Sequence, residues 1–213
     1  MESILAQCEP KSIAGVDKAD GFFSVARQNM RDPRISFDTA DATALSWDAD
    51  VFDATVSGLV LNFVSDPKRM ATEMARVTKP GGKVAVYVWD YERGMQMMRY
   101  FWDAAIAASP HDSNLDQAER VPICQPEPLQ KLFREIGLSA VSCRPIQIPT
   151  VFRDFDDYWT PFLGKQGAAP TYLAALDEAT REKIRLLLKS RLVPSADGMI
   201  PLTARAWAVQ GTT

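Results

Sequence analysis

Short apolar runs alternate with segments of helical spacing in the first half of the chain. The apolar runs that predict strands are 12–16, 35–37, 52–63, which holds a strand and its connecting loop, and 83–89. Helical patterns fall between them, one from Gly21 to Met30 and one that starts at Asp66-Pro67, where proline suits a first helical turn. The 79–82 segment, Lys-Pro-Gly-Gly, predicts a turn. Strands that alternate with helices predict a parallel sheet with crossover connections.

Helical patterns dominate after residue 90. The predicted helices are 95–108, 127–136, 156–162 and 173–192, and two further strands are predicted at 138–151 and 200–209. Two late strands separated by helices suggest that an antiparallel pair finishes the sheet. We therefore predict one α/β domain over 1–213, a Rossmann-like, doubly wound, mostly parallel sheet with an antiparallel terminal strand. The helical cover is expected as insertions at 92–135 and 152–195.

Composition and charge narrow the class of protein. The chain is 46% hydrophobic and 24% charged with a net charge of −3, which is typical of a soluble globular domain. Its cationic residues form no basic stripe, so no nucleic-acid partner is indicated. The apolar run 54–64 is too short to cross a bilayer, so no membrane partner is expected. The three cysteines are widely separated, which predicts reduced thiols in a cytoplasm and no metal site.

Polar and small residues follow the predicted strands where each strand ends. Asp17 ends the first strand, Asp41 follows the second, and Ser57 and Gly58 end the third. Ligands of open parallel sheets lie beyond these carboxyl ends, where an acidic side chain can accept hydrogen bonds from ribose hydroxyls and a second one from an adenine amine. Small residues let the backbone approach a ligand closely. Each Asp alone is more typical of a turn or helix-cap residue, and it is their order at consecutive strand ends that favours a ligand site.

The sequence resembles class I S-adenosylmethionine-dependent methyltransferases, most strongly over 12–91. The segments that carry the resemblance are IAGVDKADGFFSVAR, FDTADATALSW and FDATVSGLVLNFVSDPKRMATEMARVTKPGGKVAVYVWDY. The stretch 127–209 is similar, less specifically, to small-molecule methyltransferases of quinone biosynthesis.

The resemblance implies a set of cofactor-binding residues. It assigns Asp17, with Lys18 beside it, to the ribose of S-adenosylmethionine, and Asp41 with Ala42 to the adenine. It assigns the 57–58 pair, Ser57 and Gly58, to the methionine portion. The implied activity is methyl transfer to a small-molecule acceptor.

The chain also departs from the family, whose members begin with an apolar strand and a glycine-rich loop. That strand normally lies between the strands that hold Asp17 and Ser57, and Met1 starts where the following helix should already run. We expect one of three arrangements: a start upstream of Met1, direct pairing of the two flanking strands, or exchange with a second copy in a homodimer. If the chain does start at Met1, weak or no cofactor binding is expected.

The acceptor site is predicted from the segment after the strand 83–89. Asp90, Met97, Met98 and Phe101 are the candidate substrate residues, and flexible methionines suit an apolar or aromatic acceptor. The same residues are equally well explained as a core stripe. Methyl transfer by in-line displacement depends mainly on positioning, so a base is needed only for some acceptors.

No catalytic residue is assigned. Asp90, Tyr91 and His111 are the candidate bases, and His111, the only histidine, is more typical of a solvated surface residue.

Two other functions compete with the methyltransferase. A truncated, non-catalytic binding or interaction protein would have lost the cofactor loop. A nicotinamide-dependent oxidoreductase would also use Asp17 on a ribose, but the Asp41-Ala42 pair and the Lys-Pro-Gly-Gly turn argue against it.

Overall fold

The computed structural model describes residues 1–164 and 166–213, and its strands fall into two sheets. The strands are β1 (Ile13–Asp17), β2 (Ile35–Thr39), β3 (Phe52–Gly58), β4 (Thr78–Trp89), β5 (Ser139–Phe152) and β6 (Ile200–Thr212). The helices are α1 (Glu2–Cys8), α2 (Asp20–Asn29), α3 (Pro67–Val77), α4 (Gln96–Ala108), α5 (Gln117–Arg120), α6 (Pro126–Glu135), α7 (Phe155–Trp159), α8 (Ala168–Ala175) and α9 (Glu178–Arg191). Short 3-10 turns occupy Leu61–Phe63, Pro110–Leu115, Pro122–Cys124 and Thr160–Leu163.

The sheet topology is mixed rather than mostly parallel. β1 and β2 form a two-stranded parallel sheet. The second sheet has the order β3-β4-β6-β5, in which β3 and β4 are parallel and β6 is antiparallel to both of its neighbours. The predicted antiparallel terminal strand is therefore present. β1 and β3 belong to different sheets, so the direct pairing of these two strands, one of the three expected arrangements, is not found.

Three local predictions are wrong, that of one turn and those of two helices. The 79–82 turn lies inside β4, where the register jumps from Phe52 opposite Thr78 to Ala54 opposite Lys83. The turn residues are accommodated as a bulge, because Gly81 adopts a φ of 79° and its N–H donates to the carbonyl oxygen of Thr213. Thr213, far away in sequence, thus accepts the hydrogen bond that a residue within a local turn would have accepted.

The helix predicted over 173–192 is two helices, α8 and α9. The break falls at Asp177, whose carboxylate accepts a hydrogen bond from the amide of Thr180 and so caps α9. The predicted helix 156–162 is likewise divided into α7 and the following 3-10 turn.

Two apolar cores hold the larger sheet. The first, here called the sheet core, lies between β4 and β6 and the helices α3 and α6, and includes Val84, Val86, Leu129 and Phe133. The second, the helical core, joins α4 and α7–α9 to the far ends of β5 and β6 and includes Trp102 and Tyr158. No helix in the described part of the chain is long and apolar enough to cross a bilayer.

The smaller sheet has little core of its own. Among the side chains described for residues 1–60, only that of Phe23 is buried. Phe23 lies on α2 and packs against Phe37 of β2, with ring centroids 5.3 Å apart. A two-stranded sheet with so small an apolar face needs other contacts to be stable.

Candidate functional site

Asp17 and Asp41 lie at the same edge of the smaller sheet. β1 and β2 run parallel with Asp17 opposite Thr39, and the amide of Ala40 donates to the carbonyl oxygen of Asp17 at 3.1 Å. Asp41 is the next residue along, and Lys18 Nζ lies 3.1 Å from its Oδ2. The two residues therefore follow neighbouring strand ends, and Lys18, next to Asp17 in the chain, pairs with Asp41.

The carboxylate of Asp17 faces the start of α2. Its Oδ1 accepts a hydrogen bond of 2.8 Å from the amide of Ala19, the N-cap residue of α2. This contact orients the side chain at the strand tip and resembles a local Asx turn. Oδ1 can still accept a further hydrogen bond, and so can Oδ2.

The carboxylate of Asp41 is held in its charged form by its own loop. Oδ1 accepts from the amide of Thr43 at 2.9 Å and from its hydroxyl at 2.7 Å. These two bonds, followed by that from Lys18, lower the pKa of Asp41 to about 2. Ala42, which lies between Asp41 and Thr43 in the chain, packs against the sheet core. At neutral pH the Asp41 side chain is thus a pure hydrogen-bond acceptor.

The loop that carries Asp41 is fastened to α3. Glu73 Oε2 accepts from the amide of Leu45 at 2.9 Å. Arg76 donates to the carbonyl oxygens of Trp47 at 2.8 Å and Leu45 at 3.1 Å, and it also pairs with Glu73. The Arg76 guanidinium lowers the pKa of Glu73, which stays charged. Because α3 packs on β3 and β4, these bonds fix the smaller sheet relative to the larger one.

Ser57 and Gly58 end β3, as predicted. Gly58 lies opposite Tyr87 of β4, and a side-chain Cβ at this position would collide with the Tyr87 hydroxyl. The space that Gly58 leaves free is thus occupied by the Tyr87 side chain. Leu59 follows with a φ of 60°, rare for a residue other than glycine, and its amide donates to the carbonyl oxygen of Tyr87 at 2.8 Å. No sequence pattern indicates this role of Tyr87.

Asp90 is engaged inside the protein. Its side chain is 2% exposed, and Oδ2 accepts from Arg205 Nε at 2.7 Å and from a second guanidinium nitrogen at 2.6 Å. Oδ1 accepts from the amide of Arg93. The Arg205 guanidinium also lies over the ring of Trp207, 4.9 Å from its centroid. Asp90 therefore anchors the loop between β4 and α4, and its role toward a substrate stays a prediction.

The candidate acceptor residues on α4 divide into two groups. Met97 and Met98 are partly buried and pack against the helical core. Phe101 is fully buried and stacks on Phe162, with ring centroids 4.5 Å apart. Tyr158 donates to the carbonyl oxygen of Met97 at 2.8 Å. Phe101 thus has the packing of a core residue, while the two methionines keep some exposed surface.

The remaining titratable candidates lie apart. His111 is exposed and Tyr91 is buried beside the sheet core. Cys124 is buried, which raises the pKa of its thiol to about 12, so it stays protonated. Within the described residues no cluster of three or more potential metal ligands occurs.

Asn62 is a polar residue that sequence reasoning missed. It lies in the 3-10 turn after β3, and both Nδ2 and Oδ1 are buried without a hydrogen-bond partner among the described residues. A buried amide without partners is costly, about 1–3 kcal/mol per group. Only the tertiary structure shows this, because an Asn after a strand usually serves a turn.

Comparisons with known proteins concern the family and the fold of the chain. A family model described as "Methyltransferase domain" matches residues 1–86. A demethylmenaquinone methyltransferase of Renibacterium salmoninarum is 42% identical over 81 residues, which are 37% of this chain and 34% of that protein. A demethylmenaquinone methyltransferase of Roseiflexus castenholzii is 31% identical over 156 residues, 66% of this chain and 63% of the relative. The chain therefore spans about a third of the first relative and less than two thirds of the second.

Solved structures show the same fold. The YcgJ protein of Bacillus subtilis matches with a TM-score of 0.58 at 17% identity, over 95% of this chain and 82% of that one. A phosphoethanolamine N-methyltransferase of Haemonchus contortus, solved with phosphomonomethylethanolamine and S-adenosylhomocysteine, matches with a TM-score of 0.56 at 15% identity. That match covers 99% of this chain and 46% of the nematode protein. At such identities the likeness concerns the fold, and it confirms the predicted α/β, Rossmann-like class.

Proposed function

Since the chain is related to the class I S-adenosylmethionine-dependent methyltransferases, as its sequence predicted, we propose that it transfers a methyl group from S-adenosylmethionine to a small acceptor. The curated relatives are named demethylmenaquinone methyltransferases. An apolar or aromatic acceptor of the quinone-precursor class fits both those names and the partly buried Met97 and Met98 of α4.

The observation that carries the proposal is the pair of carboxylates at neighbouring strand tips. Asp17 keeps acceptor capacity on its carboxylate, which suits the vicinal hydroxyls of a ribose. Asp41 is locked as an acceptor by Thr43 and Lys18, which suits an exocyclic amine. The residues present therefore fit the adenosine half of the cofactor.

The cofactor, when bound, would supply a methyl carbon bonded to a positively charged sulfur; the acceptor would bond to that carbon in line as the carbon–sulfur bond breaks, and S-adenosylhomocysteine would leave. The chain contributes binding and orientation. Asp17 and Asp41 would hold the adenosine, and α4 would offer apolar surface to the acceptor. We assign no general base, because both oxygens of Asp90 already accept hydrogen bonds and His111 is exposed.

A ligand series tests the adenosine assignment in the 213-residue protein. We expect S-adenosylmethionine, S-adenosylhomocysteine and 5′-methylthioadenosine to bind within a few-fold of one another, because the charged contacts, those of Asp17 and Asp41, are to adenosine. The methionine portion is assigned only Ser57 and Gly58, and Tyr87 already lies against Gly58. Saturation-transfer NMR detects such binding even when it is weak. Asp17→Asn should weaken all three ligands together, and Asp38→Asn on β2 is the matched control. Equal binding by wild type and Asp17→Asn would contradict the assignment.

A non-catalytic binding protein is the second candidate, and the sheet topology favours it. β1 and β2 precede the adenosine residues and are not paired with the larger sheet, on whose strand β6 the proposed acceptor helix α4 packs. This candidate predicts adenosine binding without methyl transfer. An assay of S-adenosylhomocysteine release, with a demethylated quinone precursor as acceptor, separates the two: release above the rate without acceptor supports the enzyme.

A further inference from the structure

The side-chain amide of Asn62 is buried without a hydrogen bond that would explain its burial. A primary amide can donate two hydrogen bonds from its nitrogen and accept two at its oxygen. Among the described residues, neither Nδ2 nor Oδ1 of Asn62 has a partner. Such a group destabilises the folded protein, so its presence in a turn beside a candidate ligand site calls for a functional reason.

Other unpartnered polar atoms in the described part of the chain are of a different kind. They are single atoms of Trp102, Thr150 and Trp207, each on a side chain that also has an apolar part. The rings of Trp102 and Trp207 pack against the two apolar cores, and that packing accounts for their burial. Asn62 has no apolar group beyond its Cβ, so packing does not account for the burial of its amide.

The position of Asn62 in the fold is that of a ligand-binding residue. β3 and β4 are adjacent and parallel, so the turn after β3 and the segment that leads from β4 into α4 leave the same edge of the larger sheet. Ligands of such sheets lie beyond the carboxyl ends of the strands. Met97 and Met98, the proposed acceptor residues, follow β4 on α4. An acceptor over this edge would therefore lie between α4 and the turn that holds Asn62.

The turn offers apolar surface beside the amide. Leu61 is fully buried in the sheet core and fixes the turn from below. The amide of Phe63 donates to the carbonyl oxygen of Val60 at 2.8 Å and closes the turn. The side chains of Val60 and Phe63 are 37% and 69% exposed. The turn thus combines exposed apolar groups, which suit an aromatic ring, with an unused amide.

We propose that the Asn62 amide hydrogen-bonds an oxygen on the aromatic ring of the acceptor and so selects oxygenated rings. The inference rests on the proposed methyl transfer and deepens it by naming a specificity-determining residue. A phenolic hydroxyl can donate to Oδ1 and accept from Nδ2, and a quinone carbonyl can accept from Nδ2. Because both amide atoms are shielded from solvent, binding includes a rotation of the Asn62 side chain or of its turn toward the ligand.

Two ring compounds that differ by one hydroxyl, 2-naphthol and naphthalene, test the proposal. Each is titrated against the 213-residue protein with excess S-adenosylhomocysteine and followed by saturation-transfer NMR. The wild type should bind 2-naphthol at least about tenfold more tightly, because a site built to hydrogen-bond an oxygen rejects the analogue that lacks it. Asn62→Leu has the same branching without polar atoms and should bind the two compounds within about twofold of each other. Asn29→Leu, at an exposed position of α2, is the matched control and should keep the wild-type preference.

Thermal unfolding tests the same assignment without a ligand. Asn62→Leu replaces an unpaired buried amide with an apolar group, so its unfolding midpoint should rise by about 2 °C or more. Asn29→Leu should not produce that rise. A clearly lowered midpoint in Asn62→Leu would show that the amide has partners in the folded protein, and this result overturns the proposal.

The remaining outcomes separate this proposal from that of methyl transfer. Equal binding of the two compounds by the wild type, or a preference that Asn62→Leu retains, overturns the role of Asn62 and leaves methyl transfer unaffected. A wild type that binds neither compound overturns the aromatic acceptor class together with the role of Asn62. Failure of methyl transfer itself shows in the assay of S-adenosylhomocysteine release, which does not depend on the naphthol titration.

Discussion

The two sheets of this protein differ in what holds them and in what they carry. The larger sheet is packed on the sheet core and the helical core, whose central side chains are almost inaccessible to solvent. The smaller sheet, β1 and β2, has Phe23 as its one buried side chain among those described and depends on the loop after β2 for its attachment. The smaller sheet nevertheless carries Asp17 and Asp41.

This difference shows that the candidate adenosine-binding residues, Asp17 and Asp41, lie outside the part of the chain that holds the two apolar cores. Binding loops are generally drawn from the less stable parts of a structure. An adenosine ligand that bridges Asp17 and Asp41 would stabilise the smaller sheet by binding only its folded form. The following predictions test that contrast, from the largest expected effect to the smallest.

The first prediction compares one core phenylalanine from each region. Phe133→Ala removes a fully buried ring from the sheet core and should lower the free energy of unfolding by about 3–5 kcal/mol. Phe23→Ala should change global stability by less than about 2 kcal/mol, because the smaller sheet can unfold on its own. Urea denaturation measures both, and hydrogen exchange should show β1 amides losing protection only in Phe23→Ala. Equal global effects would mean that the two sheets unfold as one unit.

The second prediction concerns the ion pair between Asp90, which follows β4, and Arg205 of β6. Arg205→Leu leaves the carboxylate of Asp90, 2% exposed, without its guanidinium and should cost about 3 kcal/mol or more. The double variant with Asp90→Leu should recover most of that loss, since no buried charge then remains. Thermal unfolding measures both variants. A single variant as stable as wild type would show that Asp90 is reached by water.

The third prediction tests the attachment of the smaller sheet. Arg76→Ala removes the hydrogen bonds to the carbonyl oxygens of Leu45 and Trp47 and should cost about 1–2 kcal/mol. Amides of residues 40–50 should exchange faster with solvent. Arg134→Ala, which loses only a contact with Gln130, is the control and should leave that exchange unchanged. Unaltered exchange in Arg76→Ala would mean that another contact holds the loop.

The fourth prediction has the smallest expected effect on stability and concerns a single side chain, that of Asp41. The pKa of Asp41 is lowered to about 2 from 3.8, so its contribution to stability is fully present above about pH 4 and is lost as the pH falls toward 2. Thr43→Val removes one of the two bonds from Thr43 and should raise this pKa, as followed by carboxyl ¹³C NMR. Thr180→Val removes the equivalent bond at Asp177 and should leave Asp41 unchanged.

The sequence by itself determined the local secondary-structure elements and the order in which the candidate binding residues follow them. Apolar runs placed β1 to β4 within a few residues, except where β4 extends backwards through Lys79-Pro80-Gly81-Gly82. Strand-end residues Asp17 and Asp41 were found because parallel strands bring their carboxyl ends to one edge. These inferences need only neighbouring residues and a repeating backbone geometry.

Tertiary structure decided everything that depends on distant partners. Arg205 neutralises Asp90 across 115 residues of chain, Thr213 converts the expected turn into a bulge, and Phe162 takes Phe101 into the helical core. The strand order β3-β4-β6-β5 is likewise set by contacts that the sequence does not encode locally. Burial and charge pairing are properties of three-dimensional neighbours, and a linear pattern holds no record of which distant segments meet.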